Sequence, residues 1–249
     1  MRYFLTLAYN GTRYCGWQRQ PNAPSVQATL ENCFTTILRE PIELTGCGRT
    51  DTGVHASYYV AHFDTTKDLP PSFLNRLNSL LPDDIVVYTC TLVADTDHAR
   101  FDATTRTYAY HLSLRKDPFG GGTVWFYPQA YQLDLEKMQE VATLIKGYDA
   151  FYPFCKTHSG VDHYRCRMDE VRWELAEDQH QLIFHISANR FLRGMVRLIV
   201  GACVQVGTGQ LTIEAVRAAL DEQAHLPKSL SVPADGLFLT DIKYGNLVF

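Results

Sequence analysis

Apolar and polar positions alternate along this chain with two different periods, which predict strands and helices. A period of two, typical of strands, is present at residues 2–9, 42–47, 55–63 and 85–93. A spacing near 3.6, typical of helices, runs from the candidate N-cap Ser25 to Leu38 and recurs at residues 72–81. The first part of the chain is therefore predicted to run β-α-β-β-α-β.

The same succession of patterns begins again after a linker at residues 94–99. It predicts strands and helices in the order 106–114, 134–146, 170–175, 181–187, 189–206 and 237–244. Two such successions predict an α+β chain of two ferredoxin-like (RNP-like) βαββαβ halves, residues 1–104 and 105–249. We expect the halves to join into an extended antiparallel sheet with helices on one face, and a cleft at the junction to receive residues from both.

Composition agrees with a globular protein of the cytoplasm. The chain has 249 residues, 46% of them hydrophobic, which is enough for one large domain or two closely packed ones. No apolar run reaches the roughly 18 residues of a membrane helix, and the first residues lack the pattern of a signal peptide. Seven cysteines without a Cys-x-x-Cys pair predict reduced thiols and a cytoplasmic location.

The segment from Gly46 to Ala56 concentrates more candidate chemistry than any other part of the sequence. It places Arg49 and Asp51 two residues apart among three glycines, between two predicted strands. Glycine lets a backbone turn sharply and approach a ligand, and a guanidinium beside a carboxylate forms an ion pair. The pattern predicts an active-site loop.

Asp51-Thr52-Gly53 also matches the tripeptide of aspartic proteases, in which two carboxylates share one proton. A single copy would require a homodimer to supply the second carboxylate. Arg49 favours an ionised Asp51 instead, so the protease interpretation is the weaker one.

The net charge of −4 argues against a uniformly basic nucleic-acid-binding protein but allows a local basic groove. Residues 10–20 interleave two arginines with two aromatic residues and two glutamines. This pattern fits a loop that contacts RNA through phosphates and stacking, and it equally fits a polar surface loop with Trp17 in the core.

Three arginines on the last predicted helix, Arg190, Arg193 and Arg197, are spaced to form one stripe among apolar residues. A solvated face is one interpretation of the stripe. The other is that Arg197, deepest in the apolar surroundings, pairs with a buried carboxylate, for which Asp51 is the candidate.

Two further patterns are candidates for a metal site and for a phosphate-binding loop. The zinc-competent side chains Cys155, His158, His163 and Cys166 form two pairs separated by only four residues, closer than in most zinc fingers, which favours an ordinary loop. The run 119–123 contains three glycines but no following Gly-Lys-Ser/Thr, so a flexible hairpin is predicted there rather than a phosphate loop. We predict no metal site.

Several motifs follow one another in a fixed order along the chain: 8–20 with Val26-Gln27 and Leu30-Glu31, 48–56, 99–103 with Arg106-x-Tyr108-x-Tyr110, Met195-Val196-Arg197 with Gly201, and 233–237. In this order they resemble the motifs of the tRNA pseudouridine synthase A family nearly from end to end. Thr52 stands where the family usually has Ala, Arg193-Gly194 before Met195 is not typical, and residues 151–167 keep only part of the family pattern.

The resemblance implies that the chain isomerises uridine to pseudouridine in the tRNA anticodon stem-loop, at about positions 38, 39 and 40, after the base is flipped out. It also implies a homodimer and no metal or organic cofactor. Asp51 would be the catalytic carboxylate, Arg197 would pair with it, and Tyr108 would stack on the uracil and carry the C5 proton. The implied substrate-binding residues are Arg49, Arg19, Trp17, Gln18, His55, Arg106, Arg193 and Leu237.

A rival hypothesis is a noncatalytic RNA-binding module. Such a module would keep the aromatic and basic surface but would not need Asp51. A dimeric protease, in contrast, would need Asp51 but neither Arg197 nor Tyr108.

Overall fold

A computed structural model describes residues 1–156, 160, 162–226 and 230–245. In the described residues the strands and helices, in chain order, are β1 (Arg2–Tyr9), α1 (Val26–Leu38), β2 (Thr45–Gly46), β3 (His55–Asp64), α2 (Phe73–Leu80), β4 (Ile85–Val93), β5 (Thr105–Ser113), β6 (Trp125–Phe126), α3 (Leu135–Lys146), β7 (Met168–Leu175), β8 (Gln181–Ala188), α4 (Met195–Gly207), α5 (Ile213–Glu222) and β9 (Leu237–Lys243). Short 3-10 turns occupy Gly11–Arg13, Ala130–Gln132 and Tyr152–Phe154.

The chain forms two compact units. Unit 1 comprises Met1–Thr104 together with the segment from Phe238 onward, and unit 2 comprises Thr105–Leu237. The sequence assigned the last strand to the second half. In the structure, nearly all of β9 packs with unit 1. None of the helices in the described residues is both long and apolar enough to cross a membrane.

Unit 1 is built on a sheet with the strand order β4-β1-β3-β9. β1 pairs antiparallel with β3 and β4, so that Arg2 lies between Asp64 and Val93. β9 pairs with β3 in parallel, Phe238 opposite His55. The sheet of unit 1 is therefore mixed, not wholly antiparallel as expected, because no tight hairpin joins β9 to β3 and fixes its direction.

Two helices cover one face of this sheet. Ser25 begins α1 by accepting a hydrogen bond from the Ala28 amide, and the helix ends where Arg39 adopts a left-handed conformation. Phe34 of α1 packs edge-on against Phe63 of β3, with ring centroids 4.9 Å apart. The apolar stripe predicted from the sequence therefore forms the core between helix and sheet.

Unit 2 contains the antiparallel order β5-β8-β7, with the short β6 added in parallel to β5. Asp134 caps α3 by accepting from the Lys137 amide, and α3 packs against β7 and α4. The α4 stretch from Leu198 to Val204 is buried on all sides. Strands β5, β7 and β8 and helix α3 confirm the sequence prediction within two residues.

The predicted helix at 189–206 is wrong at its start. α4 begins only at Met195, because Gly194 adopts a left-handed conformation with φ +71° and interrupts the helical backbone. Arg190 and Arg193 therefore precede the helix, so the three arginines do not form one helical stripe. The sequence also did not predict α5 or β6.

Candidate functional site

Asp51 lies in unit 1, in the loop between β2 and β3. Its side chain is half-buried, while Arg49 is exposed and Thr50 between them is buried. The Thr50 and Tyr9 hydroxyls are 2.8 Å apart and hydrogen-bonded, and the Val54 amide donates to the Asp51 carbonyl at 3.1 Å. The loop is thus held on both sides of Asp51, and Asp51 itself is half-buried.

A second loop, which follows β1, runs along the Asp51 loop and is bonded to its backbone. The Trp17 amide donates to the Thr50 carbonyl at 3.3 Å, and the Gly53 amide donates to the Tyr14 carbonyl at 3.2 Å. Gly16 lies between these contacts with φ +89°. These bonds align the aromatic and basic loop of residues 10–20 with the candidate catalytic loop.

Three buried aromatic rings support the two loops from the inside. Trp17 stacks on Tyr59 with ring centroids 4.1 Å apart, and Tyr9 meets Tyr59 edge-on at 5.6 Å. The Tyr59 hydroxyl donates to the Gly48 carbonyl at 2.5 Å. The ring of Trp17 is only 3% exposed, which agrees with the interpretation that it anchors the loop in the core. Its predicted contact with the substrate stays a prediction.

The other predicted residues of unit 1 differ in exposure. Gln18 and Arg19 are exposed on the second loop. His55 is fully buried at the start of β3, where its Nδ1 accepts from the Gly11 amide at 3.0 Å. Its ring stacks on Phe238 at 4.5 Å. His55 therefore connects the end of the Asp51 loop to the second loop and to β9.

The turn that opens the second loop is fixed by one carboxylate. Asp84 accepts from Arg13 Nε at 2.6 Å and from the Tyr14 hydroxyl at 2.7 Å. Burial raises the pKa of Asp84, but these two hydrogen bonds, the charge of Arg13 and a backbone hydrogen bond together lower it below its usual value. Burial and the bond to this carboxylate raise the pKa of Tyr14. The turn therefore carries an ionised Asp84 and a neutral tyrosine at neutral pH.

In unit 2, Arg197 lies in the first turn of α4 and is half-buried. Its Nε donates to the Val232 carbonyl at 2.6 Å, and the Val232 amide lies 3.4 Å from the Arg197 carbonyl. The Tyr110 hydroxyl donates to the neighbouring Pro233 carbonyl at 2.9 Å, and burial raises the pKa of Tyr110 although Arg197 acts in the opposite direction. Leu237, at the end of this segment, is 5% exposed.

The remaining predicted residues of unit 2 lie on β5 and on the segment before α4. Tyr108 is half-exposed, pairs with Ile186 of β8 and meets the Phe191 ring edge-on at 5.1 Å. Arg106 Nη1 donates to the Asn189 carbonyl at 3.0 Å. Arg193 is exposed, and its carbonyl accepts from the Lys156 amide at 3.1 Å.

The predicted site residues thus divide between the units. Asp51, Arg49, Trp17, Gln18, Arg19 and His55 lie in unit 1, and Arg106, Tyr108, Arg193, Arg197 and Leu237 lie in unit 2. The pairing of Asp51 with Arg197 stays a prediction. Within the described ranges, no group of three or more His, Cys, Asp or Glu side chains is arranged to hold a metal, and His158 of the considered zinc pattern lies outside these ranges.

The sequence analysis assigned no role in the site to several residues that shape the loops, although Tyr9, Gln27 and Glu31 belong to the motifs of the resemblance. Tyr9 and Tyr59 bond to the backbone or side chains of the Asp51 loop, and Glu31 and Gln27 bond to the second loop. Tyr9 and Tyr59 lie on predicted strands, where the alternation of apolar and polar residues predicts that they are buried but not what their hydroxyls bond to. Glu31 carried a usable signal, because it is a charged residue next to Leu30 on the apolar stripe of a predicted helix.

The family model and the curated relatives that match this chain belong to one family. A family model described as tRNA pseudouridine synthase matches residues 141–245. The tRNA pseudouridine synthase A of Porphyromonas gingivalis is 46% identical over 252 residues, covering 100% of this chain and 99% of that protein. The protein of that name from Azobacteroides pseudotrichonymphae is 41% identical and covers 100% and 98%. A solved structure of CRISPR endoribonuclease Cse3 bound to 19 nt RNA covers 83% of this chain and 97% of that one, but its 9% identity and TM-score of 0.23 carry no argument.

Proposed function

The chain belongs to the tRNA pseudouridine synthase family and isomerises uridine to pseudouridine in tRNA, and we propose that its targets lie in the anticodon stem-loop, at about positions 38, 39 and 40. The observation that carries the activity is the identity of 46% over the full length of both chains. The half-buried carboxylate of Asp51, in a loop bonded on both sides, supports its assignment as the catalytic group.

In this reaction the C1'–N1 bond of the nucleotide breaks, the uracil rotates and C5 bonds to C1'. The proton lost from C5 is balanced by a proton gained at N1. Asp51 acts as an ionised carboxylate by one of three routes: attack on C1', addition to C6 or removal of the 2' proton. Every atom of the product comes from the substrate or from water, and no electrons are gained or lost. We propose that no metal or organic cofactor takes part.

We assign the other roles by residue type and exposure. Arg197 pairs with Asp51 and fixes its orientation, and the exposed Arg49 helps to extrude the nucleotide. The half-exposed Tyr108 stacks on the flipped uracil and carries the C5 proton. Leu237 forms an apolar wall under the base. The further contacts to the tRNA come from Gln18, Arg19, Arg106 and Arg193, with Trp17 and His55 beside them.

For the architecture, we propose two ferredoxin-like halves, residues 1–104 and 105–249, of which the second includes β9 although β9 pairs with β3 of unit 1. The element orders β1-α1-β2-β3-α2-β4 and β5-α3-β7-β8-α4-β9 support this proposal, since each repeats β-α-β-β-α-β once β6 and α5 are set aside as additions. We also propose a homodimer that acts in the cytoplasm, on the strength of the family alone. Light scattering at the concentration used for catalysis tests the dimer.

The experiment that tests the activity uses an unmodified tRNA transcript without added metal. Pseudouridine is measured by nucleoside mass spectrometry and by release of tritium from C5 of labelled uridine. We expect the wild type to form product and Asp51→Asn to be slower by at least a thousandfold. The control Asp83→Asn, which also removes one carboxylate from the surface, should form product at the wild-type rate.

Two results would contradict the proposal. If Asp51→Asn retains the wild-type rate, Asp51 is not the catalytic carboxylate. If neither the wild type nor Asp51→Asn forms product while both bind the transcript equally, the chain binds this tRNA without modifying it, as a noncatalytic RNA-binding module would. Transcripts with cytidine at the three proposed positions test the location separately, because product from them would place the target elsewhere.

A further inference from the structure

A buried carboxylate on α1 connects the two loops of the candidate site in unit 1. Glu31 is only 5% exposed, although its side chain is charged. Its Oε1 accepts from the Leu44 amide at 3.0 Å and from Gln27 Nε2 at 2.9 Å, and its Oε2 lies 3.1 Å from Arg19 Nη1. Both oxygens are thus bonded, which is the condition under which a carboxylate is retained in a protein interior. We call these four residues the Glu31 network.

Gln27 lies one turn before Glu31 on the same face of α1. Its Nε2 also donates to the Leu44 carbonyl at 2.9 Å, so that the two side chains together bond both backbone groups of Leu44. Its Oε1 accepts from the Arg19 amide at 2.9 Å. The Glu31 network therefore fixes both the backbone and the side chain of Arg19.

The position of the network is important because both of its loops lead to Asp51. The Gln27 amide donates to the Trp17 carbonyl at 3.0 Å, and the Trp17 amide bonds to Thr50 next to Asp51. Leu44 immediately precedes β2, from which the chain enters the Asp51 loop. Arg19 is therefore held at a defined place relative to the candidate catalytic carboxylate.

The exposure of the Arg19 side chain indicates that the Glu31 network leaves its guanidinium able to bind a ligand. Its side chain is 58% exposed, whereas that of Glu31 is 6% exposed. The ion pair therefore has one buried partner and one partner that faces solvent, so pairing with Glu31 does not remove the Arg19 guanidinium from the surface. A guanidinium with one nitrogen on a buried carboxylate keeps further N–H donors for solvent, in a planar arrangement that matches a phosphate.

We infer that Glu31 is a positioning residue that holds the Arg19 guanidinium for a backbone phosphate of the tRNA. The inference rests on the proposed function, because tRNA is the ligand. Glu31 contacts neither the phosphate nor the reacting atoms and acts through Arg19. Its removal is expected to weaken tRNA binding without changing the chemical step.

The test is a double-mutant cycle on tRNA affinity, measured by filter binding between 50 and 300 mM salt. We expect Arg19→Gln and Glu31→Gln each to weaken binding about tenfold. Each substitution should also reduce the slope of log K against log salt by about 0.7 to 0.9, the loss of one phosphate contact. Because Glu31 acts through Arg19, the double variant should bind no more weakly than Arg19→Gln alone. If the two effects multiply instead, Glu31 does not act through Arg19 and the inference is wrong.

Steady-state rates on the same transcript separate positioning from a general structural role. Glu31→Gln should raise KM about tenfold and leave kcat within about twofold of the wild type. Glu214→Gln, which removes an exposed carboxylate in the first turn of α5, is the matched control and should behave as the wild type. A fall in kcat with an unchanged KM would overturn the inference.

A second variant leaves the buried residue intact, in case Glu31→Gln does not fold. Arg19→Lys keeps the charge but lacks the planar arrangement that bonds a carboxylate and a phosphate together. We expect it to bind tRNA several-fold more weakly, and wild-type affinity would contradict the inference. The affinities and their salt slopes are measured whether or not product forms, so failure of the inference is distinguishable from failure of the proposed function, which product formation by the wild type decides.

Discussion

At the scale of single residues, the position of Asp51 depends on a close approach between two backbones. Gly16 has φ +89°, and a Cβ atom at this position would stand 2.3 Å from the Thr50 carbonyl oxygen. Only glycine fits such a contact without moving the loop that carries Asp51. Gly16 therefore contributes to the site although it has no side chain.

We predict that Gly16→Ala lowers kcat at least tenfold and destabilises the protein by about 2 kcal/mol or more, through the left-handed backbone and the displaced loop. The measurements are the pseudouridine-forming rate and the urea midpoint. Gly209→Ala is the control, because Gly209 also has a left-handed φ of +72° but nothing within 4 Å of an added Cβ. It should lose about 1 kcal/mol of stability and keep full activity, and equal loss of activity in both variants would refute the contact argument.

His62 introduces a pH dependence of stability. Burial, with Arg2 and His98 acting in the same direction, lowers the pKa of this histidine to about 4, although Asp64 and Asp102 oppose the shift. The unfolded chain, with a histidine pKa of about 6.5, therefore binds a proton more readily between pH 6.5 and 4. The contribution of His62 to stability is complete above pH 6.5 and decreases as the pH falls towards 4.

We predict that the free energy of unfolding falls by about 2 kcal/mol between pH 7 and pH 5 on account of His62. Urea titrations at both pH values check this. His62→Asn, whose Oδ1 can replace Nδ1 as the acceptor for the Ala99 amide, should remove this part and leave a smaller one from His185, whose pKa burial also lowers. An unchanged pH dependence in His62→Asn would contradict the assignment, and His180→Asn is the control.

At the scale of elements, α4 is fixed against the segment that leads to Leu237. A Cβ atom on Gly201 would stand 1.7 Å from the Leu230 carbonyl oxygen. One turn earlier on the same helix, Arg197 bonds to the Val232 backbone. Together these contacts set the distance between α4 and the following segment, and so the positions of Arg197 and Leu237 within unit 2.

We predict that Gly201→Ala destabilises the protein by about 2 kcal/mol, because the clash with Leu230 exceeds the gain of about 1 kcal/mol that alanine brings to a helix interior. Thermal unfolding checks the change. Gly147→Ala at the end of α3, where the nearest atom is 3.4 Å from an added Cβ, should change stability by less than about 0.5 kcal/mol. A stabilised Gly201→Ala would show that helix propensity outweighs the contact.

At the scale of the whole molecule, the sequence predicted most strands and helices because their apolar faces are regular. It overestimated the strand at 42–47, since the backbone of Leu44 bonds to the side chains of Gln27 and Glu31 and only Thr45–Gly46 pairs with β3. It extended α4 too far back because Phe191 and Leu192 continue the helical period, which says nothing about the backbone of Gly194.

The parts of the candidate site that lie within short sequence motifs were predictable. The Asp51 loop and the family resemblance followed from residues close together in sequence, and the comparisons confirm the family. Composition left two interpretations of Trp17 open, since an amphipathic aromatic residue fits a core as well as a surface. The Glu31 network was missed because it joins residues from three segments, and no periodicity along the chain records such contacts.

The discontinuity of unit 1 also bears on how the protein is made. β9, which pairs with β3 and places Phe238 on His55, is translated after the whole of Thr105–Leu237. At usual rates of translation this delay is on the order of ten seconds. During that time the edge of β3 next to the Asp51 loop lacks its native neighbour, and an open strand edge invites wrong pairing. The nascent chain is therefore expected to need protection by a chaperone longest at the edge beside its candidate catalytic loop.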